Sequence, residues 1–227
     1  PRTKILLRAL GACAVIAALL MGMPLEGRVL PAPVVFVGAI ALLLPLLVVV
    51  QRAWTRFLWA RRLASARIRA ANAGDDPEPH VELGVLCSLA GTETEARAAF
   101  ERARELSPGH AQATVGLAHL AAEEGDLDRA LALFTEAAAA HPDLFAAHYG
   151  IGGVQRRREQ YARAVLAYER ALSLEEDDAF TLAELSRCHL LLGDAQKAEE
   201  YFLRAAGHGL RDPDLEKMIR AASAPEP

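Results

Sequence analysis

The side chains best able to do covalent or metal chemistry are scattered along this chain. Its seven histidines, at positions 80, 110, 119, 141, 148, 189 and 208, form no shared motif, and no HExxH, GxSxG or GxxxxGK[ST] spacing occurs. The cysteines, Cys13, Cys87 and Cys188, make no CxxC pair, so they read as small buried apolar residues, not as a zinc site or a disulfide framework. Gly150-Ile151-Gly152-Gly153 has no strand before it and is not a dinucleotide loop. The acidic run Glu175-Glu176-Asp177-Asp178 reads as a solvated turn. No catalytic residue, metal ligand or cofactor is expected. What these residues leave open is non-covalent recognition.

Charge is divided sharply along the 227 residues. Residues 1–73 carry +9 and residues 74–227 carry -13, although the net charge is only -4. An acidic folded part repels phosphate, which argues against a nucleic-acid partner. With 52% hydrophobic residues the chain is too apolar for disorder.

Two apolar stretches lie in the basic part. The first covers 5–23 and is broken by Arg8; the second covers 34–50 and carries no charge. A helix of about 20 residues spans a hydrocarbon core of about 30 Å. Pro24 to Pro33 is short and able to turn the chain, so the expected element over 1–50 is a transmembrane hairpin. A cleaved leader and a lipoprotein at Cys13 are the competing readings of the first stretch, but for the lipoprotein the apolar core before that cysteine would be only ILLRAL, which contains Arg8. Arg2, Lys4 and Arg8 flank the first stretch, and Arg52, Arg56, Arg61, Arg62, Arg67 and Arg69 follow the second. This distribution places both ends in the cytoplasm. Residues 51–76 are expected to form a basic juxtamembrane helix near anionic headgroups, ending in a hinge at GDDPEP.

A pattern then recurs four times with a constant period. Ala96, Phe100, Ala103 is followed by Ala130, Phe134, Ala137, by Ala164, Tyr168, Ala171 and by Ala198, Phe202, Ala205. The triplet lies on one helical face. Upstream of each first alanine, always at the same distance, stands a large aliphatic residue followed by a small one: Leu83-Gly84, Leu117-Ala118, Ile151-Gly152 and Leu185-Ser186. Gly91, Gly125 and Gly193 stand where a first helix must stop, and Glu159 takes that place in the third repeat. Residues 77–212 therefore resemble the tetratricopeptide repeat (TPR) family. The resemblance implies an all-α fold: the transmembrane hairpin, then a four-repeat α-solenoid, then a capping helix with a tail over 213–227.

The resemblance also implies a groove lined by the first helix of each pair. Carried onto this sequence, its binding positions include Val115, His119, Tyr149, Arg156, Phe180 and Arg187. The arginines would pair with partner acids and the aromatics would serve as anchors. Gly116 and Gly150 would leave bare patches where a partner backbone approaches closely. The implied function is a membrane-anchored, non-enzymatic scaffold that binds a peptide or helix of a partner protein, with no nucleic acid and no small-molecule substrate. Alternatives are an envelope-assembly chaperone with the repeats outside the cytoplasm, similar in architecture to a cytochrome c maturation protein, or a structural subunit of a membrane complex. Richness in Ala and Arg points to a high-GC bacterium, and the two expected spans then imply its inner membrane.

Overall fold

The structure, a computed structural model, describes Gln51 and residues 57–223. The expected spans over 5–23 and 34–50 lie outside the described residues. Among the described residues, no helix is long and apolar enough to cross a membrane.

A first helix, α1, runs over 57–71. Four helical pairs follow: α2 (Glu78–Leu89) with α3 (Glu93–Leu106), α4 (Ala111–Glu123) with α5 (Leu127–Ala140), α6 (Phe145–Arg157) with α7 (Tyr161–Leu172), and α8 (Ala179–Leu191) with α9 (Ala195–Gly207). A last helix, α10 (Pro213–Ser223), packs on α8 and α9. Each helix of the stack packs on the next, and the first helices α2 and α4, and α4 and α6, also touch. Local chemistry marks the starts. Asp126, Asp178 and Asp194 accept a hydrogen bond from the backbone N–H three residues on, at 3.1, 2.7 and 3.1 Å. Asp212 does the same for Leu215 at 3.0 Å. At the stops, Gly91, Gly125 and Gly193 have φ of 73°, 86° and 80°, and Glu159 is held at 60°. A left-handed backbone costs a side-chain-bearing residue about 1–2 kcal/mol, so the stack imposes this turn on the third repeat against local preference.

The repeated triplets form the core. Their eight alanines are at most 1% exposed, and Phe100, Phe134 and Tyr168 are 1–2% exposed. Three of the four rings are closed over by the following repeat. Phe202 is only partly buried, because α10 alone follows it. In α10 it is Leu215 and Ile219 that turn inward, at 1% and 4%.

The expected boundary at residue 76 moves. The stack forms one compact unit with everything from Ser65 onward. Ala66 and Ala70 are buried, and Ala66 stands one full repeat period before Phe100, at the ring position of the repeat frame. Arg67 makes a bidentate pair with Glu95 of α3, both contacts at 2.7 Å, and Arg69 pairs with Glu82 of α2 at 2.6 Å. These arginines obscured the element in the sequence, since Arg69 stands at an alanine position. The long side chain reaches outward to Glu82 and leaves the interior to Ala66 and Ala70. GDDPEP thus joins two docked helices, and the hinge expected there is tied across on both sides.

Candidate protein-interaction face

The first helices of the pairs carry the candidate residues, and they divide into two neighbourhoods. The first is apolar. Between α2, α4 and the start of α6 lies a cavity of about 460 Å³, lined by Val85, Leu89, Phe100, Val115, His119 and Leu144 among others. Val115 is 8% exposed and forms wall, whereas Leu89, at 68%, forms rim. His119 meets the ring of Phe134 edge-on, with centroids 5.0 Å apart. Burial lowers the His119 pKa against the pull of Glu123, so the imidazole is neutral near pH 7. A cavity of this volume and lining suits apolar side chains.

The second neighbourhood is charged and lies where α6 meets α8. Position 6 of the repeat is Gly116 in α4 and Gly150 in α6, but Glu184 in α8. Arg156 Nε is 2.9 Å from Glu184 Oε2, and Arg187 Nε is 3.7 Å from Glu184 Oε1. Arg187 also pairs with Asp212 at the start of α10. Tyr149 stacks on Phe145 at 5.7 Å and meets Tyr168 edge-on at 5.5 Å. Burial raises the Tyr168 hydroxyl far above its usual range and Glu184 adds to this. Burial, helped by Glu184, also pushes the Cys188 thiol up to about 11. Both groups therefore stay protonated and unreactive at neutral pH.

Three expectations change here. Arg156 and Arg187 are not waiting for partner acids, because Glu184 and Asp212 already pair with them. Tyr149 packs among its own neighbours, while Phe180 is 66% exposed. Gly116 and Gly150 are not bare patches: a Cβ at Gly116 would stand 2.5 Å from the Phe100 ring, and one at Gly150 would stand 2.3 Å from the Phe134 ring. Each glycine admits the aromatic ring of the preceding repeat. Val115 and His119, two of the expected groove positions, line this cavity, whereas Leu89 and Glu184 were not among those positions. The signal for Glu184 was its break with Gly150 and Gly116, which hold the same place one and two periods earlier.

Among the described residues, no three His, Cys, Asp or Glu side chains gather to hold a metal ion. His189 is 6% exposed and stacked on Tyr201 at 5.4 Å. Burial lowers its pKa, Lys197 works in the same direction, and Asp194 opposes. Below pH 6.5 the unfolded chain therefore binds a proton that the folded chain resists, and stability falls with pH. Urea midpoints of a His189→Gln variant should decline less steeply than those of the parent between pH 7 and 5. Equal slopes would show that His189 is not a source of the decline.

Residues 89–150 and residues 154–213 each match the tetratricopeptide repeat family. Superkiller complex protein 3 of Mus musculus is 25% identical over 159 residues, which cover 67% of this chain and 10% of that protein. The general transcriptional corepressor trfA of Dictyostelium discoideum is 30% identical over 93 residues, covering 40% of this chain and 7% of that protein. The chain thus spans a tenth or less of the curated relatives it matches. Among solved structures, YrrB, described as a TPR protein with an unusual peptide-binding site, superposes with a TM-score of 0.59 at 20% identity, over 69% of this chain and 81% of its own. The thermophilic TPR protein TTC0263 of Thermus thermophilus superposes at 0.61 with 18% identity, over 75% and 93%. MamA from Desulfovibrio magneticus RS-1 superposes at 0.57 with 21% identity, over 77% and 93%. At these identities the likeness is one of fold.

Proposed function

Because this chain carries tetratricopeptide repeats over residues 89–150 and 154–213, and such repeats generally serve as protein-interaction scaffolds, we propose that it is a membrane-tethered scaffold whose first-helix face holds an apolar segment of a partner protein. The observation that carries this reading is the cavity of about 460 Å³ between α2, α4 and α6. Its walls are Val115 and Leu144 and its rim is Val85 and Leu89. A partner helix or strand would seat one or two aliphatic or aromatic side chains there. The charged junction of Arg156, Glu184, Arg187 and Asp212 is neutralised within the chain, so it sets the end of the apolar groove and adds little affinity. Phe180 supplies an exposed ring beside it.

The tether is the pair of apolar stretches over 5–23 and 34–50, and the basic flanks favour the cytoplasmic side for the repeats. No enzymatic step is part of this reading.

Photo-crosslinking tests it. A photoreactive residue at Leu89 should capture a discrete partner in native membranes, whereas one at exposed Leu166 of α7 should not. A Val115→Asp substitution puts a charge into the cavity wall and should reduce the Leu89 adduct at least tenfold, about 1.4 kcal/mol or more of binding. Equal adducts from Leu89 and Leu166, or an adduct indifferent to Val115→Asp, would remove the cavity from the function. Protease added to sealed inverted vesicles should digest the repeats if they face the cytoplasm.

A further inference from the structure

We propose that the N-terminal half of α1 is a contact for anionic lipid headgroups. The arginines of this helix fall into two sets. Arg67 and Arg69 are committed to the repeats through Glu95 and Glu82. Nearer the N-terminus, Arg61 and Arg62 are exposed, and no carboxylate among the described residues pairs with Arg61. The guanidinium of Arg62 lies 6.0 Å from the centre of the Trp59 ring. No Asp or Glu occurs between residues 27 and 74, so this segment has no acid of its own.

Beside these cations stand exposed apolar side chains: Leu58 at 45% and Trp59 at 46%. Water or an acidic protein surface would satisfy Arg61 while leaving the indole and leucine exposed. A bilayer interface satisfies both, with phosphates for Arg61 and the boundary of headgroups and acyl chains for Trp59 and Leu58. Chain length brings the two together. Residue 57 lies seven residues after the apolar stretch that ends at Val50, and seven residues span at most about 25 Å. The inference takes from the proposed tether only that a bilayer is within that reach. Near an anionic surface, each arginine strengthens association about fivefold.

The test uses the full chain reconstituted in vesicles of phosphatidylcholine with or without phosphatidylglycerol. The chain has only two tryptophans, Trp54 and Trp59, so Trp54→Phe leaves one reporter. Trp59 emission should be blue-shifted and quenched by brominated acyl chains in the anionic vesicles, and less so in the neutral ones. The difference should vanish in Arg61→Glu/Arg62→Glu and in high salt, with the far-ultraviolet dichroism unchanged. Identical emission in the two lipids, or a shift that survives the charge reversal, overturns the proposal. So does a shift that appears only when a captured acidic protein is added. Alkaline carbonate extraction reads the tether separately. A chain washed off neutral vesicles sinks the tether, and the anionic-lipid shift still judges this helix.

Discussion

Phe134→Ala should destabilise the repeat stack by about 3–5 kcal/mol. The ring is 1% exposed and stands between its own pair and the next. His119 meets it edge-on at 5.0 Å, and it approaches the backbone of α6 so closely that only glycine fits at position 150. Truncation removes the ring from both contacts at once, and a helical backbone on either side cannot collapse into the space. Domain stabilities are about 5–15 kcal/mol, so the loss is a large part of the whole. Because a stack of repeats is held by nearest-neighbour interfaces, the break should also be local. Urea unfolding of the full chain, followed by helical dichroism, should show a lower midpoint and a transition that splits in two. Repeats three and four should unfold close to the parent midpoint. A loss below about 1 kcal/mol, or one uniform shift, would mean that this ring does not join the second and third repeats.

Gly150→Ala tests the same contact from the other side, and its value lies in the sign. Helix propensity alone predicts a gain of about 1 kcal/mol, since glycine is a poor helix former. The structure predicts a loss of about 1–3 kcal/mol, because the new methyl would stand 2.3 Å from the buried ring of Phe134 and one of the two must shift. Gly153, one turn further along the same helix, provides the control. A Cβ there meets only the Tyr168 hydroxyl at 3.7 Å, an ordinary contact, so Gly153→Ala should stabilise. In a Phe134→Leu background the Gly150→Ala penalty should shrink or reverse. If Gly150→Ala raises the urea midpoint as Gly153→Ala does, the proposed clamp between ring and glycine is wrong.

The pairing of position 6 with the preceding ring also explains where the repeats depart from one another. Phe100 has Gly116 and Phe134 has Gly150, but Tyr168 faces an α8 that carries Glu184. The Glu184 carboxylate, which helps raise the Tyr168 hydroxyl, is met by the Arg156 guanidinium at 2.9 Å. Such a pair is partly exposed and adds little stability. Its consequence is for recognition, because two arginines that would attract partner acids are already engaged.

The repeat period was legible because it depends only on residue size along one helical face. Alanine, a ring and alanine at a fixed spacing force neighbouring helices together wherever they recur. Cap positions were legible for the same local reason, down to the glutamate at 159 that replaces a glycine and still adopts φ of 60°. The part of α1 from Ser65 onward was missed as part of the stack because its inward residues are two alanines among arginines, and alanine carries almost no pattern on its own.

From its sequence alone, then, this protein is a set of helical pairs in a fixed register, with the stop of each first helix marked at Gly91, Gly125, Glu159 and Gly193. The tertiary structure decided what the groove residues face. Whether a glycine is a bare patch or the seat of a ring, and whether an arginine is free or paired, depends on a side chain in a different repeat, as Gly150 with Phe134 and Arg156 with Glu184 illustrate. Those separations along the chain close only when successive repeats stack, and no local pattern of hydrophobicity records them.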